Sequence, residues 1–269
     1  MASLPSLTDE PTRHAGCCPS LSQPLLSTIA ALLHSTTAVA ATTPASTGAQ
    51  SRGPAPLVLS VGSGTGLLEE LLHAYLNQHP PTPSTIHSGP WRVEGVEVNP
   101  AVNVHLPEDR INHVAGTWAV LESRARDAAA LLFVYPRDGA LVRRYVDAFM
   151  RPAGDYGGVD GEQHERVGGN HERVNESGYD SGEGESEGGI KRHESRGPNS
   201  TETRSTPAHR GVHLALWLGP KCDWEDTGFG SFGGSDEFEV LDMRGDVGLA
   251  EYEMLAALRR KDGNVETRL

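Results

Sequence analysis

Residues 57–72 read LVLSVGSGTGLLEELL, an apolar run followed by a glycine-rich loop and then an amphipathic pattern. The run from Leu57 to Val61 is apolar and β-branched enough for a strand that is buried on both faces, as a central parallel strand is. The three glycines that follow permit positive φ and let a ligand approach the backbone without a Cβ in the way. This stretch therefore predicts a strand, a sharp turn and a helix whose free N–H groups lie beside the turn.

The spacing of the glycines indicates which class of ligand the loop suits. A dinucleotide fingerprint is G-x-G-x-x-G, whereas Gly62, Gly64 and Gly66 give G-x-G-x-G and position 67 is Leu. No Lys follows Gly66, so a G-x-x-x-x-G-K-[ST] phosphate loop is absent as well. Glu69 and Glu70 put negative charge where a pyrophosphate needs positive potential. A ligand without phosphate fits this loop better.

From Val58 to Gly66 the chain reads V-x-x-x-G-x-G-x-G, and in this it resembles the class I S-adenosylmethionine-dependent methyltransferases. The resemblance implies S-adenosylmethionine as cofactor, with its amino-acid portion packed against the loop. The loop residues that correspond are Gly62, Ser63, Gly64, Thr65 and Gly66. In the family an acidic residue at the end of the second strand binds the ribose hydroxyls, and Glu97 within RVEGVEVNP matches it. A carboxylate suits a vicinal diol because it accepts strong, charge-assisted hydrogen bonds.

The ends of the third and fourth strands supply the remaining candidate site residues. Thr117 and Trp118 lie about where the family contacts adenine, although the usual carboxylate is missing and Trp118 is alternatively a core residue. Tyr135, Arg137 and Asp138 follow the fourth apolar run, where similar enzymes carry catalytic groups, and Tyr135 is also a candidate cofactor contact. The tetrapeptide Asn/Asp-Pro-Pro-Tyr/Phe is absent there, and Arg137 could equally cap a strand end. The catalytic role therefore stays open among these candidates.

The hydrophobic pattern predicts an α/β fold, a Rossmann-like, doubly wound and mostly parallel seven-stranded sheet with helices on both faces. Predicted helices are Leu21 to His34, Leu67 to Asn77 and Leu141 to Met150. Predicted strands beside Leu57 to Val61 are Val93 to Val98, Ile111 to Val114, Ala130 to Tyr135 and Val212 to Leu218. Phe238 to Met243 and Tyr252 to Leu258 are expected to close the sheet as an antiparallel pair, although the second run is also rich in helix formers. Phe229 and Phe232 lie in a glycine-rich loop that either covers the cleft or merely connects.

Three segments are expected along the chain. Residues 1–56 form an N-terminal segment with one helix, at about 21–34, and a flexible linker from Ser35 to Pro56. Residues 57–152 and 209–262 form a single methyltransferase-like domain. Between them, residues 153–208 are almost devoid of apolar side chains and form an acidic, glycine-rich disordered insertion, because they cannot bury enough surface to offset an ordering entropy of about 1 to 2 kcal/mol per residue. A proline-rich surface loop is expected from His79 to Thr85.

Composition indicates a protein without membrane segments and with an intracellular location. No apolar run approaches the roughly 20 residues that span a bilayer, and the N-terminus lacks the pattern of a secretory signal. The 3 cysteines form neither a disulfide framework nor a zinc site. A cytoplasmic protein is expected, with the nucleus left open. The net charge of −13 disfavours nucleic acid as a partner.

The sequence thus favours an S-adenosylmethionine-dependent methyltransferase whose acceptor is an unidentified small molecule or protein. No bound metal is expected, and the oligomeric state is not indicated. A first alternative is a catalytically degenerate member that keeps the fold and serves as a binding or scaffold protein. A second, disfavoured by Leu67 and by the acidic start of the helix, is an NAD(P)-dependent oxidoreductase.

Overall fold

The computed structural model describes residues 3–39, 55–80, 90–151, 211–243 and 247–261. Two short strands, β1 (Thr12–Arg13) and β2 (Ser20–Leu21), form an antiparallel ribbon. The strands of the central sheet are β3 (Leu57–Val61), β4 (Arg92–Glu97), β5 (Ile111–His113), β6 (Ala128–Val134), β7 (Leu214–Pro220), β8 (Phe238–Met243) and β9 (Glu253–Arg260). The helices are α1 (Gln23–Val39), α2 (Leu67–Gln78), α3 (Glu122–Asp127), α4 (Gly139–Phe149) and α5 (Trp224–Thr227).

The seven-stranded sheet has the order β5-β4-β3-β6-β7-β9-β8. Neighbouring strands from β5 to β7 pair in parallel, whereas β9 pairs antiparallel with both β7 and β8. From β3 the chain first builds outward through β4 to β5 and then returns to the other side of β3 with β6. This reversal makes the carboxyl ends of β3 and β6 the switch point at which open α/β sheets bind ligands. The predicted Rossmann-like, mostly parallel seven-stranded fold is confirmed.

Alternating residues of the strands face two hydrophobic layers, as the pleat requires. Val58 packs in one cluster with the buried leucines of α1 and α2, which include Leu25, Leu33 and Leu72. Leu59 packs in the other cluster with α4 residues such as Tyr145. Helices therefore cover both faces, and the burial of β3 on both sides explains why four of its five residues are apolar.

Helix α1 extends from Gln23 to Val39. The predicted helix, at residues 21–34, ended five residues earlier. The first five residues of the predicted linker, which began at Ser35, are thus helical. Ser35 to Val39 contain neither Gly nor Pro, so no residue there stops a helix. Residues 40–54 of that linker, most of the proline-rich loop and the predicted insertion at 153–208 lie outside the described residues.

The C-terminal part of the chain forms a strand where the sequence also suited a helix. Residues 253–260 form strand β9, since pairing with β7 on one side and β8 on the other overrides the helix propensity of the run. Phe229 and Phe232 are buried in the hydrophobic core, so the idea that they cover a cleft is wrong. Among the described residues, no helix is long and apolar enough to cross a membrane.

Candidate functional site

The glycine loop has a backbone conformation that other residues rarely adopt. Gly62, Gly64 and Gly66 have φ angles of 85°, 55° and 77°. A Cβ on Gly62 would lie 3.0 Å from the carbonyl oxygen of Val134, and one on Gly66 would lie 2.7 Å from Cγ of Leu106. Side chains at these positions would therefore meet both strain and steric overlap. The three glycines therefore make a cradle between β3 and α2, in which the backbone at these positions is bare of side chains.

Glu97 reaches this loop from the end of β4. The N–H of Gly64 donates to Oε2 of Glu97 at 2.9 Å, and the N–H of Val98 donates to Oε1 at 2.9 Å. Two backbone amides thus fix the carboxylate at the edge of the loop. Each carboxylate oxygen accepts more than one hydrogen bond, so the side chain keeps capacity for the hydroxyl groups of a ligand.

Two further segments border the loop. The N–H groups of Val104 and His105 both donate to the carbonyl of Thr65 at 3.0 Å. The N-terminal segment, residues 3–22, also borders the loop, because a Cβ on Gly16 would come within 2.7 Å of Cγ2 of Thr65. The chain after β4 and the segment of residues 3–22 therefore both contact the loop.

Buried polar atoms without a hydrogen-bond partner among the described residues recur around this loop. They include Oγ of Ser63, Oε2 of Glu69, Nε2 of His14 and Nδ1 of His105. Ser63 lies in the loop and Glu69 in the first turn of α2, while the two histidines belong to the bordering segments. Because buried polar groups are ordinarily satisfied, a polar ligand or water accounts for them best. The bare cradle and these atoms fit the amino-acid portion of a cofactor such as S-adenosylmethionine.

The carboxyl group of Glu69 is buried beside the loop, between β3 and α2. Glu69 is 0% exposed, and its Oε1 accepts a hydrogen bond of 2.6 Å from Oγ of Ser60 on β3. Burial raises the pKa of Glu69 to about 7, although the bond from Ser60 works in the opposite direction. Burial, and secondarily the proximity of Glu69, raises the pKa of Cys17 to about 12. Cys17 therefore stays a thiol beside the start of α2.

Tyr135 follows β6 directly and is held in a strained conformation. Its φ is 49°, which is rare outside glycine. Its N–H donates to the carbonyl of Leu218 at 2.7 Å, and its hydroxyl donates to Oε1 of Glu253. Burial, followed by the adjacent Glu253 carboxylate, raises the pKa of Tyr135 well above its ordinary value. The hydroxyl therefore keeps its proton at neutral pH.

Glu253, at the start of β9, joins Tyr135 to the N-terminal segment. The backbone N–H of Ser20 donates to Oε1 of Glu253 at 3.1 Å, and the hydroxyl of Ser20 donates to Oε2. The N–H of Ala250 donates to Oε2 at 3.2 Å. One buried carboxylate thus fixes the end of β6, the turn before β9 and the N-terminal segment together.

The remaining candidates, which follow β5 and β6, lie at the surface. Arg137 is exposed, and Oδ1 of Asp138 accepts from the N–H of Ala140 at 2.8 Å as the N-cap of α4. Thr117 is exposed, and Trp118 is 62% exposed with its ring folded over Gly116. The interpretation of Trp118 as a core residue is wrong, because the turn after β5 projects it outward. Within the described residues, no group of three or more metal-ligating side chains occurs.

Sequence reasoning missed Ser20, Gly16, Ser60, Glu69 as a buried group, and Glu253. Glu253 lies 118 residues from Tyr135 and 233 from Ser20. No local pattern connects such distant positions, and the sequence around β9, whose antiparallel pairing brings Glu253 to this edge, suits a helix as well as a strand. The glycine at position 16 gives no signal outside its tertiary contact.

Comparison with known proteins adds a limited finding. No protein-family model matches the chain, and no curated protein matches its sequence. A solved structure described as human methyltransferase 10 domain containing protein is 10% identical, with 90% of this chain and 84% of that chain covered and a TM-score of 0.39. The delta-N METTL16 MTase domain is 9% identical over the same shares, with a TM-score of 0.40. The fold assignment rests on the strand order and pairing described above.

Proposed function

We propose that the protein is an S-adenosylmethionine-dependent methyltransferase acting on a small-molecule or protein acceptor. The observation that carries this proposal is the hydrogen bond of 2.9 Å from Gly64 to Glu97. It joins the bare glycine loop and the acidic strand end at one place. That place lies at the carboxyl ends of β3 and β4, beside the switch point of the sheet, where ligands of open α/β sheets bind.

In this proposal each segment of the site has one role. The loop from Gly62 through Ser63, Gly64 and Thr65 to Gly66 would hold the amino-acid portion of the cofactor. Glu97 would accept hydrogen bonds from the ribose. Thr117 and the exposed ring of Trp118 would border the adenine. Tyr135 would face the methyl end.

The bound cofactor supplies an electrophilic methyl group, so the protein is required mainly to align the acceptor with it and to exclude water. Tyr135 is suited to alignment because its backbone and its hydroxyl are both fixed. Arg137 is exposed at the same strand end and would attract a polar or carboxylate-bearing acceptor. The net charge of −13 disfavours nucleic acid in this role.

One observation favours a second candidate function, a degenerate member that binds the cofactor without transferring its methyl group. Asp138, a candidate base, is engaged as the N-cap of α4. The hydroxyl of Tyr135 is a donor to Glu253 and is not free to accept a proton. Neither group offers an available base, so an acceptor that must lose a proton would have to be deprotonated by other means.

Calorimetric titration tests the proposal directly. We expect the protein to bind S-adenosylmethionine and S-adenosylhomocysteine and to bind NAD far more weakly. Glu97→Ala should weaken S-adenosylmethionine binding by about 1.5 to 3 kcal/mol, because it removes charge-assisted hydrogen bonds. This corresponds to an increase in Kd of roughly ten- to 150-fold.

Glu108→Ala is a matched control, since Glu108 is an exposed acid in the same part of the chain and has no role in the site. Preference for NAD, or failure to bind any of the three ligands, would contradict the proposal. An unchanged Kd in Glu97→Ala would remove Glu97 from the site. Cofactor binding without formation of S-adenosylhomocysteine on any small-molecule or protein acceptor would favour the degenerate alternative.

A further inference from the structure

Glu69 is a buried acid that links the two ends of the glycine loop. Ser60 precedes Gly62 on β3, and Glu69 follows Gly66 in the first turn of α2. The hydrogen bond of 2.6 Å from Ser60 to Glu69 therefore joins the chain before the loop to the chain after it. Glu69 is 0% exposed, so bulk water does not solvate its carboxyl group.

One oxygen of this carboxyl group has no hydrogen-bond partner in the part of the chain that the structure describes. Oε1 accepts from the hydroxyl of Ser60, whereas Oε2 is buried without a bond. Oγ of Ser63, inside the loop, is buried without one as well. Because buried polar groups are ordinarily satisfied, these atoms favour a ligand that donates hydrogen bonds. An ammonium group suits them, since it has three N–H donors and no acceptor.

The groups around Glu69 favour a positively charged ligand over a neutral one. Burial raises the pKa of Glu69 to about 7, and the nearby carboxylate of Glu97 adds to this increase, while the bonds from Ser60 and from its own backbone N–H oppose it. Cys17 also lies near Glu69, and its thiol stays protonated because burial raises its pKa to about 12. A cation bound beside the two carboxylates would offset their repulsion and stabilise the charged form of Glu69.

We propose that Glu69 binds the α-ammonium group of S-adenosylmethionine, so that binding of the cofactor displaces a proton from the protein. This inference rests on the proposed function, in which the amino-acid portion of the cofactor lies at the loop. The ammonium would donate to Oε2 of Glu69 and to Oγ of Ser63. The proton that leaves Glu69 passes to the solvent, and an ion pair replaces the neutral carboxyl group. Cofactor affinity should therefore rise with pH until Glu69 is ionised in the free protein as well.

Three ligands separate this contact from the rest of the site. S-adenosylmethionine and S-adenosylhomocysteine carry the ammonium group, whereas methylthioadenosine has the nucleoside without the amino-acid portion. In calorimetry on the full chain at pH 8, Glu69→Gln should weaken binding of the first two about tenfold, because it removes a charge-assisted hydrogen bond. It should change binding of methylthioadenosine less than about twofold, which would also show that the variant is folded. Ser63→Ala should weaken the first two about fivefold.

Proton displacement is a readout that a merely structural Glu69 would not give. At pH 6.5 the unaltered protein should release about three quarters of a proton per S-adenosylmethionine bound, because the pKa of Glu69 is about 7 in the free protein. Calorimetry in buffers of different ionisation enthalpy measures this number. Affinity should rise more than about tenfold from pH 5.5 to pH 7. Glu69→Gln should lack both effects, so the difference between the two proteins should disappear near pH 6.

Glu108→Gln is the matched control, because it neutralises an exposed acid outside the site. We expect its affinities and proton release to equal those of the unaltered protein. His14 and His105 border the loop, and histidine ordinarily titrates in this pH range. Both are retained in Glu69→Gln, so proton release that persists in this variant would belong to them and would overturn the role of Glu69.

The unaltered protein separates this inference from the proposed function. Binding of S-adenosylmethionine without proton release at pH 6.5 would overturn the role of Glu69 and leave the proposed function intact. Equal affinities of Glu69→Gln and the unaltered protein at pH 8 would do the same. Failure of the unaltered protein to bind either S-adenosylmethionine or S-adenosylhomocysteine would overturn the proposed function, and this inference with it.

Discussion

Glu94 and Glu69 are both buried glutamates, yet their surroundings differ completely. Glu94, on β4, is 2% exposed and receives hydrogen bonds from Nε of Arg92 at 2.5 Å, Nε of Arg124 at 2.8 Å and Nδ2 of Asn112 at 3.1 Å. Glu69, beside the glycine loop, is 0% exposed and receives one side-chain hydrogen bond, from Ser60. One carboxyl group has two guanidinium partners and the other has a hydroxyl.

This difference in partners decides the charge of each group. Burial by itself raises the pKa of Glu94, but the hydrogen bonds from Arg124, Arg92 and Asn112 outweigh it and lower the pKa to about 2. Burial raises the pKa of Glu69 to about 7, because the bond from Ser60 is too weak to compensate. Glu94 is therefore a charged structural group, whereas Glu69 is mostly protonated below neutral pH. The carboxyl group that has no guanidinium partner among the described residues is the one at the candidate site.

The largest effect should come from breaking the paired cluster. Glu94→Ala leaves the guanidinium groups of Arg92 and Arg124 without their shared partner. Because these arginine side chains are 38% and 31% exposed, water partly solvates the charges left behind, and the cost should be about 3 kcal/mol, at the lower end of the range for a buried ion pair. Denaturant unfolding at pH 7 measures this loss of stability. Because the pKa of Glu94 is lowered from 4.5 to about 2, its contribution is present above pH 4.5 and is lost as the pH falls toward 2. The variant should lack that part of the acid sensitivity.

Glu122→Ala provides the control for this prediction. The ion pair of Glu122 with Arg126 is exposed, with side-chain exposures of 67% and 57%, so its loss should change stability by less than about 0.5 kcal/mol. A comparable loss of stability in the two variants would show that burial and pairing do not distinguish Glu94.

Glu69→Gln should give a smaller effect with the opposite dependence on pH. Since the pKa of Glu69 is raised from 4.5 to about 7, its contribution to the stability of the ligand-free protein is complete below pH 4.5 and is lost as the pH rises through 7. A Gln at position 69 stays neutral, so folding does not have to bury a charged carboxylate at high pH. The variant should therefore be more stable than the unaltered protein at pH 8, by up to about 3 kcal/mol. At pH 4.5 the two should unfold alike. Equal stability differences at pH 4.5 and pH 8 would contradict a buried, titrating Glu69.

Glu94 and Glu69 also show which features of the site could be predicted from the sequence and which could not. The strand at Leu57 to Val61, the glycine loop and the acidic end at Glu97 were predictable, because strand burial, positive φ and strand-end position leave local patterns. The identity of Glu94 and Glu69 as buried groups was not predictable. Charged residues within such elements are typical of solvent-facing positions, and only tertiary contacts with α3 and with Ser60 show otherwise.

Long-range pairing explains why Glu253 and its neighbours could not be predicted. Whether residues 253–260 form a strand depends on β7 and β8, and only that pairing brings Glu253 to Tyr135. Large aromatic side chains are mostly buried, so a core position was expected for Trp118. The turn at Gly116 directs its side chain outward instead. For both Glu253 and Trp118, the sequence shows the residue type, but only the tertiary structure shows the surroundings of the side chain.

The smallest expected effect concerns Ser60, which is the one side-chain hydrogen-bond partner of Glu69 in the described parts of the chain. Ser60→Ala removes the hydrogen bond of 2.6 Å to Oε1 and should cost about 1 kcal/mol at pH 6, where the carboxyl group is mostly protonated. Because the bond from Ser60 lowers the pKa of Glu69, its loss should also extend the decline in stability, which begins near pH 4.5 in both proteins, to a higher pH. Unfolding measured at pH values from 5 to 9 detects both changes, with Ser27→Ala on the exposed face of α1 as the control. A decline over the same pH range in Ser60→Ala and the unaltered protein would mean that Ser60 does not hold the carboxyl group, and the arginine partners of Glu94 alone would then account for the difference between the two glutamates.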